Sequence, residues 1–328
     1  MRGRDLLILL SLFAFARAGS SVRLGGGLYP RFSYDAMGSS FELMGAEANV
    51  QAQVTSETRD ILTAAVQVRA AGAMSGWTRG FHFGEAYVLL PLGLSWPAIR
   101  VGQAVIPFGL LADYDIHSQI VQTEFAKTLG LRLDPGIGFL GVIGRFDYRL
   151  WLSNGNGPDM MDNDNNKVVT ARVAPRFLLG DAEMTVGLSG LAGSLPYWSI
   201  DSIASMAEGP RFYAMKYRLG LDNTTDWGPL TLRFEGVAGR DSTLSNRPVF
   251  GYYAEARYAL VRWLEGLAKY DGFHANGGRA NNLSLGLNFY PPDVSAFEIQ
   301  TVYQRDLLAI GGERKNGWQF ATQLVVRF

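Results

Sequence analysis

Hydrophobic and polar residues alternate along the chain in segments of about ten residues that end at turn-forming residues. The last segment, WQFATQLVVRF, has one apolar and one largely polar parity. The apolar set is Trp318, Phe320, Leu324, Val326 and Phe328, and the polar set contains Gln319, Gln323 and Arg327. Successive side chains of a strand point to opposite faces, so the pattern predicts strands with one apolar face.

Sixteen segments carry this alternation and together span most of the chain. Their ranges are 24–34, 41–54, 61–71, 81–90, 98–106, 132–143, 145–153, 167–177, 182–193, 210–222, 229–240, 249–259, 263–272, 281–290, 295–305 and 317–328. One lipid-facing and one water-facing side per strand is typical of a transmembrane barrel, which in bacterial single chains has an even strand number. The prediction is therefore all-β: a transmembrane antiparallel β-barrel of about 16 strands over 19–328.

The lengths of the connections support this count. If both termini are periplasmic, connections from odd to even strands are the long external loops, and the others are short turns. The longest connections, 107–131, 154–166, 194–209 and 306–316, all fall in the first class, whereas 178–181, 260–262 and 291–294 are short and fall in the second. The longest connection of all follows the fifth strand.

The N-terminus has the three parts of a secretory signal peptide. Arg2 and Arg4 form a basic start, 6–15 is uninterrupted and apolar, and Ala16-Arg17-Ala18 supplies an A-x-A cleavage site. A membrane anchor is the alternative, although the apolar stretch is shorter than the roughly 20 residues that a spanning helix needs. We therefore predict that 1–18 is a signal peptide and that the barrel domain is 19–328.

Composition narrows the possible functions. The chain has no cysteine, so disulfides, thiolate metal sites and cysteine nucleophiles are excluded. Its formal net charge is zero, which gives no basic footprint for nucleic acid. A soluble β-sandwich would also alternate, but it gives no reason for aromatic residues near strand ends or for sixteen strands without a break.

Several short motifs stand out in the sequence: VGQAVIPFG at 101–109, YYAEARY at 252–258, Tyr270-Asp271, and GLNFY at 286–290. The first resembles the strand-to-loop signature of the phosphate-selective porin O/P family of outer-membrane porins, and the others are similar to the C-terminal third of that family. The resemblance implies a sixteen-stranded barrel in the bacterial outer membrane, usually trimeric, that passes small anions. It implies that loop 107–131 folds into the lumen as the constriction and that Phe328 is the signal read by the barrel-assembly machinery.

Strand parity assigns twelve basic and seven acidic residues to the lumen. The basic residues are Arg31, Arg69, Arg145, Arg149, Arg172, Arg176, Lys216, Arg218, Arg233, Arg257, Lys269 and Arg327, and the acids are Glu47, Asp147, Glu183, Glu235, Glu255, Glu265 and Asp271. This excess predicts a weak anion preference, with Arg145, Arg149, Arg172 and Arg176 as a basic stripe. The alternative is that these charges pair across strands and only keep the interior wet.

The predicted constriction carries charges of both signs. Its candidate residues are Asp113, His117, Glu124, Lys127 and Arg132. Phosphate-specific members of the family would have several basic residues there. The mixed charge therefore predicts passage of small anions, phosphate-type anions among them, or of other small polar solutes. A pH-sensitive gate at His117 is a further hypothesis, since histidine titrates near neutrality.

Three other features of the sequence are better explained by a structural role than by a nucleotide-binding or metal-binding site. The G-x-G-x-x-G match at 136–141 continues into a strand pattern without the helix that a dinucleotide site needs. The run Asp162–Asn166 lacks the glycine and glutamate of a calcium loop, with Lys167 and Val173 in their places. The three histidines are scattered, so no metal or cofactor is predicted.

The leading hypothesis is a passive outer-membrane porin in contact with lipid and small solutes, and two alternatives remain open. A structural or adhesive barrel would have its lumen plugged by the long loop. An outer-membrane lipid hydrolase would need a nucleophile beside a base, and neither a G-x-S-x-G motif nor a triad-like placement of serine and histidine occurs. We therefore predict a channel that is not an enzyme.

Overall fold

The computed structural model describes sixteen β-strands and a short 3-10 helix at Leu111–Asp113. The described residues are 19–35, 38–55, 60–71, 80–93, 96–113, 119–120, 128–158, 162, 165–197, 212–242, 247–275, 278–292, 297–308 and 317–328. The predicted signal peptide, 1–18, lies outside them. No helix among these residues is long and apolar enough to cross a membrane.

Each strand pairs antiparallel with its sequence neighbours, and β1 pairs with β16, which closes the sheet into a barrel. The strands are β1 Ser20–Asp35, β2 Gly38–Thr55, β3 Asp60–Ala71, β4 Gly80–Pro91, β5 Ala98–Val105, β6 Leu133–Ile143, β7 Phe146–Ser153, β8 Val168–Leu179, β9 Ala182–Tyr197, β10 Phe212–Trp227, β11 Leu230–Ser242, β12 Arg247–Val261, β13 Leu264–Ala275, β14 Gly278–Phe289, β15 Phe297–Leu308 and β16 Trp318–Arg327. The predicted all-β barrel and its sixteen strands are confirmed, with most strands longer than predicted.

The connections follow the predicted classes only in part. The longest, between Val105 and Leu133, runs from an odd to an even strand as predicted. Two odd-to-even connections, 36–37 and 276–277, are nevertheless as short as the turns at the other end. We call the end with the even-to-odd connections, where β1 begins and β16 ends, the turn end, and the opposite end the loop end.

The outer wall of the barrel is apolar. Leu188, Leu219, Leu285 and Leu287 alternate with inward residues and are 50–61% exposed. Exposed aromatic residues mark both ends of the strands, among them Trp227 at the turn end. An apolar band flanked by aromatic residues is the surface that a barrel presents to a bilayer, and closure leaves no unpaired edge in lipid. The barrel therefore has the outer surface expected of an outer-membrane protein.

The C-terminal residue completes the seam of the barrel. The Phe328 N–H donates to the Gly26 carbonyl over 3.1 Å, and the Gly26 N–H donates to the Phe328 carbonyl over 2.8 Å. Gly26 has no side chain, which leaves room for the Phe328 ring, since a Cβ there would lie 2.6 Å from its Cζ. Phe328 is itself 71% exposed on the outer wall.

Candidate functional site

The loop between β5 and β6 enters the lumen, as predicted. Phe108 is fully buried against Gly220 of β10, where a Cβ would lie 2.7 Å from its ring. The next residue, Gly109, has a φ of +55° and donates its N–H to Ser189 Oγ over 2.9 Å. The Pro107-Phe108-Gly109 part of the family-like motif therefore carries the chain from the β5 wall to β9 and β10.

Gln103 of the same motif shapes the wall that precedes the loop. Its Nε2 donates to the carbonyls of Phe83, over 2.8 Å, and Gly84, over 2.7 Å. The β3–β4 register shifts at these residues, which marks a bulge in β4. A bulge interrupts the hydrogen-bond ladder, and the Gln103 amide donates to two carbonyls beside it. This role was not predicted from the sequence.

Gln119 and Ile120 of the loop reach the opposite side of the barrel. Arg257 of β12 donates to Gln119 Oε1 over 2.6 Å, and the Ile120 N–H donates to Gln300 Oε1 of β15 over 2.9 Å. The Ile120 side chain packs against Leu267 and Val302. Side chains of three further strands therefore fix these two residues.

The returning part of the loop is fixed on β10. Arg218 donates from Nε to the Thr128 carbonyl over 2.7 Å and pairs with Asp241 of β11. Lys216 donates to the Leu129 carbonyl over 3.2 Å. Leu129 is buried in an apolar cluster that includes residues of β9 and β11. These two basic residues therefore hold the loop rather than stand free in the lumen.

The described loop residues thus contact strands β9–β13 and β15. The wall formed by β1–β3 has a separate network of polar side chains. Glu47 accepts hydrogen bonds from Tyr29 (2.9 Å) and Gln67 (3.0 Å), and it pairs with Arg69 at 3.3 Å. Arg31 instead donates from Nε to the neutral amide oxygen of Gln323 over 2.9 Å. Among the described residues, Arg31 has no carboxylate at ion-pair distance.

The four arginines of the predicted basic stripe do not share one environment. Arg149 and Arg172 are register partners in β7 and β8, and each binds a carboxylate: Arg149 to Asp147 at 3.0 Å and Arg172 to Asp222 at 2.6 Å. Arg176 is exposed and lies 3.9 Å from Glu183. Like charges placed opposite each other repel, so the carboxylates make this arrangement possible.

The position of Arg145 differs from the parity prediction. It lies in the tight turn between β6 and β7, not in β7 itself. Its guanidinium carbon is 5.8 Å from the ring centroid of Phe177, a residue at an outward position of β8. The parity prediction began β7 one residue too early, at Arg145, and was therefore wrong in placing this side chain in the lumen.

Arg233 and Arg257, two further arginines of the predicted lumen set, are paired with acids. Glu255 accepts from Arg257 at 2.7 Å and from Arg233 at 3.4 Å, and Glu265 lies 3.7 Å from Arg257. The structure places further acids on the inward face that the parity prediction omitted, among them Asp222, Asp241 and Glu298. Asp222 and Glu298 have the inward parity of their strands, and that signal was available. These acids remove most of the predicted basic excess.

The predicted constriction residues are only partly described. Asp113 ends the 3-10 helix, and the Arg132 carbonyl accepts from the Ile106 N–H over 2.9 Å at the base of the loop. His117, Glu124 and Lys127 lie outside the described residues, so the predicted pH gate does too. The loop's inward path is confirmed, whereas the charge of its innermost part stays a prediction.

The glycine-rich segment 136–141 and the Asp/Asn-rich run 162–166 have structural roles in the residues that the structure describes. The glycines of 136–141 lie in β6, and Gly138 lets the Trp151 ring approach, since a Cβ there would be 2.2 Å from Cε3. Asp162 pairs with Lys167 at 3.1 Å. Among the described residues, no group of three or more histidine and acidic side chains is placed to hold a metal ion.

Comparisons with solved structures show the fold. The chain is similar to the trimer form of OmpT, an outer membrane protein of Vibrio cholerae, with TM-score 0.69, 11% identity, and 94% of this chain and 100% of that chain covered. It is similar to the anion-selective porin from Comamonas acidovorans, with TM-score 0.65, 14% identity and coverage of 94% and 99%. Salmonella typhi OmpF in complex with daunomycin gives TM-score 0.64, 14% identity and coverage of 94% and 98%.

No protein-family model matches the sequence, and no curated protein matches it either. The resemblance to the phosphate-selective porin O/P family therefore remains an interpretation of short motifs. Over 94% of its length, this chain has the sixteen-stranded barrel fold of bacterial outer-membrane porins.

Proposed function

We propose that this protein is an outer-membrane porin: a water-filled channel for passive diffusion of small solutes, with a weak preference for anions. The observation that carries the proposal is the distribution of polar side chains inside a closed barrel. Inward positions bear hydrogen-bonded and ion-paired groups, and the described loop residues lie against β9–β13 and β15. Sixteen-stranded barrels of this kind normally enclose an aqueous channel.

Arg31 replaces the predicted basic stripe as the proposed source of the anion preference. Arg31 lies on β1 and has the Gln323 amide of β16 as its hydrogen-bond acceptor, whereas Arg149, Arg172 and Arg257 are balanced by carboxylates. Glu42 lies at the register position opposite Arg31 and offsets part of its field. The preference is therefore weak, and phosphate-type anions are one class of solute among several.

Two partners belong to the same proposal. The OmpT structure described as a trimer form supports a homotrimer in the outer membrane. The exposed terminal Phe328 supports recognition by the barrel-assembly machinery. The channel itself needs neither a cofactor nor a catalytic group, so we propose no enzymatic activity.

Planar-bilayer recording of the purified protein tests the channel and its selectivity. We expect a stable open level in potassium chloride, and a reversal potential that shifts toward cations in the Arg31→Gln variant. Arg176→Gln is the matched control, because Arg176 is exposed near the turn end and solvent screens its charge. Absence of an open level would instead support the plugged barrel, and an unchanged reversal potential would rule out the role of Arg31.

A further inference from the structure

A recess of about 300 Å³ lies in the lumen wall beside the base of the loop. Strands β4–β7 form its back, and the loop residues Pro107 and Ala112 border it. Its lining residues include the polar and aromatic side chains of Glu85, Tyr87, Arg100, Asp147, Arg149 and Trp151. Recesses of this size are at the lower end of the range that binds small molecules.

Two opposite charges in the recess lack an ionic partner among the described residues. The Arg100 guanidinium carbon lies 4.5 Å from the ring centroid of Tyr87, and its buried Nε has no hydrogen-bond acceptor. Glu85 accepts the Val105 N–H at 3.3 Å but has no ion pair in the described part of the chain. By contrast, Arg149 and Asp147 balance each other.

A third group in the recess is also unsatisfied. Trp151 is 3% exposed, and its indole N–H has no acceptor among the described residues. An unpaired buried donor costs roughly 1–3 kcal/mol, so an acceptor supplied by water or by a ligand would stabilise this site. The apolar side chains of Val105, Pro107 and Leu140 line the same space.

We infer that this recess binds a small zwitterion, an α-amino acid with an apolar side chain. Arg100 would bind the carboxylate and Glu85 the ammonium group, while the side chain would lie against Tyr87 and the apolar lining. The formal charges of Arg100 and Arg149 cancel those of Glu85 and Asp147, so the recess offers no net attraction to a simple anion or cation. A ligand with both charges satisfies both unpaired groups, since hydrogen bonds to charged groups are the stronger ones.

This inference rests on the proposed function, because the solute reaches the recess through the channel. Isothermal titration calorimetry on the full-length protein in detergent tests binding without requiring an open conductance level. The probes are leucine, 4-methylpentanoate, which lacks the ammonium group, and 3-methylbutylamine, which lacks the carboxylate. We expect leucine to bind at least about tenfold more tightly than either analogue, from the loss of one charged hydrogen-bonding group.

Two variants test which residue binds the carboxylate and which binds the ammonium group of leucine. Arg100→Gln and Glu85→Gln should each weaken leucine binding about tenfold or more, whereas the control Arg176→Gln, outside the recess, should not. If Arg100→Gln fails to fold, Glu85→Gln still tests the site, because its amide oxygen can accept the Val105 N–H.

Three outcomes would overturn the inference: no heat of binding with leucine, equal binding of leucine and 4-methylpentanoate, or unchanged affinity in the folded variants. Conductance without leucine is measured in parallel on the same protein. A conducting barrel that does not bind leucine would refute amino-acid binding in the recess but not the channel function. A barrel that shows no open conductance level would instead refute the proposed function as a porin.

Discussion

At the scale of single residues, buried ion pairs hold the interior of the wall. Arg172 and Asp222 are 3% and 0% exposed, and two hydrogen bonds of 2.6 and 3.0 Å join them. Gly187 faces Asp222 in the neighbouring strand, and a Cβ there would lie 2.3 Å from the carboxylate. Arg172, Gly187 and Asp222 therefore form one packed contact across β8, β9 and β10.

We predict that Asp222→Ala lowers the free energy of unfolding by about 3–5 kcal/mol, because it leaves the buried Arg172 without a counter-charge. Glu183→Ala, which removes the partner of the exposed Arg176, should change it by less than about 1 kcal/mol. Urea unfolding of the refolded variants in detergent measures both values. Equal losses in the two variants would contradict the distinction between buried and exposed pairs.

At the scale of elements, the loop after β5 is fixed at several points along its described length. Phe108 lies on Gly220, Ile120 on β13 and β15, and the Thr128 carbonyl on Arg218. The first and last of these contacts are on β10, and the Ile120 contacts are on β13 and β15. The free cross-section of the lumen therefore depends on how far the loop is held against that wall.

We predict that Gly220→Val reduces single-channel conductance, because the new side chain displaces Phe108 and pushes the start of the loop toward the lumen centre. Overpacking of this kind costs about 1–3 kcal/mol. Gly190→Val is the control, since a Cβ at Gly190 meets nothing within 4 Å. An unchanged conductance in a folded Gly220→Val barrel would show that Phe108 does not set the position of the loop.

At the scale of the whole molecule, closure between β1 and β16 makes the chain a barrel. Their register runs from Gly27 with Arg327 to Asp35 with Gln319, and Phe328 extends it to Gly26. The two strands come from opposite ends of the sequence. Closure of the barrel therefore depends on pairing between residues that are far apart in the chain.

We predict that Phe328→Ala refolds in detergent but gives less assembled barrel in cells. The backbone hydrogen bonds to Gly26 remain, while the exposed ring proposed as the assembly signal is lost. Heat-modifiable migration on gels measures the folded fraction in both settings. Phe320→Ala, another outward aromatic residue of β16, is the control, and equal assembly of the two variants in cells would contradict a special role for the terminal ring.

Much of the fold could be read from alternation. One side of every strand must suit lipid and the other a polar interior, so residues such as Leu285 and Asn288 reveal their faces without any knowledge of their neighbours. The same rule gave the inward parity of Arg149, Arg172 and Lys216. It failed at Arg145, because alternation does not show where a strand ends and a turn begins.

The sequence by itself determined the sixteen strands, their faces and the position of the long loop, because lipid and water impose a period of two residues along each strand. Only the tertiary structure decided which charges remain unbalanced. Arg31 and Arg172 look alike in the sequence, but one meets the amide of Gln323 and the other the carboxylate of Asp222. Such partners are set by register and by side-chain reach across the lumen, which connect residues far apart in the chain.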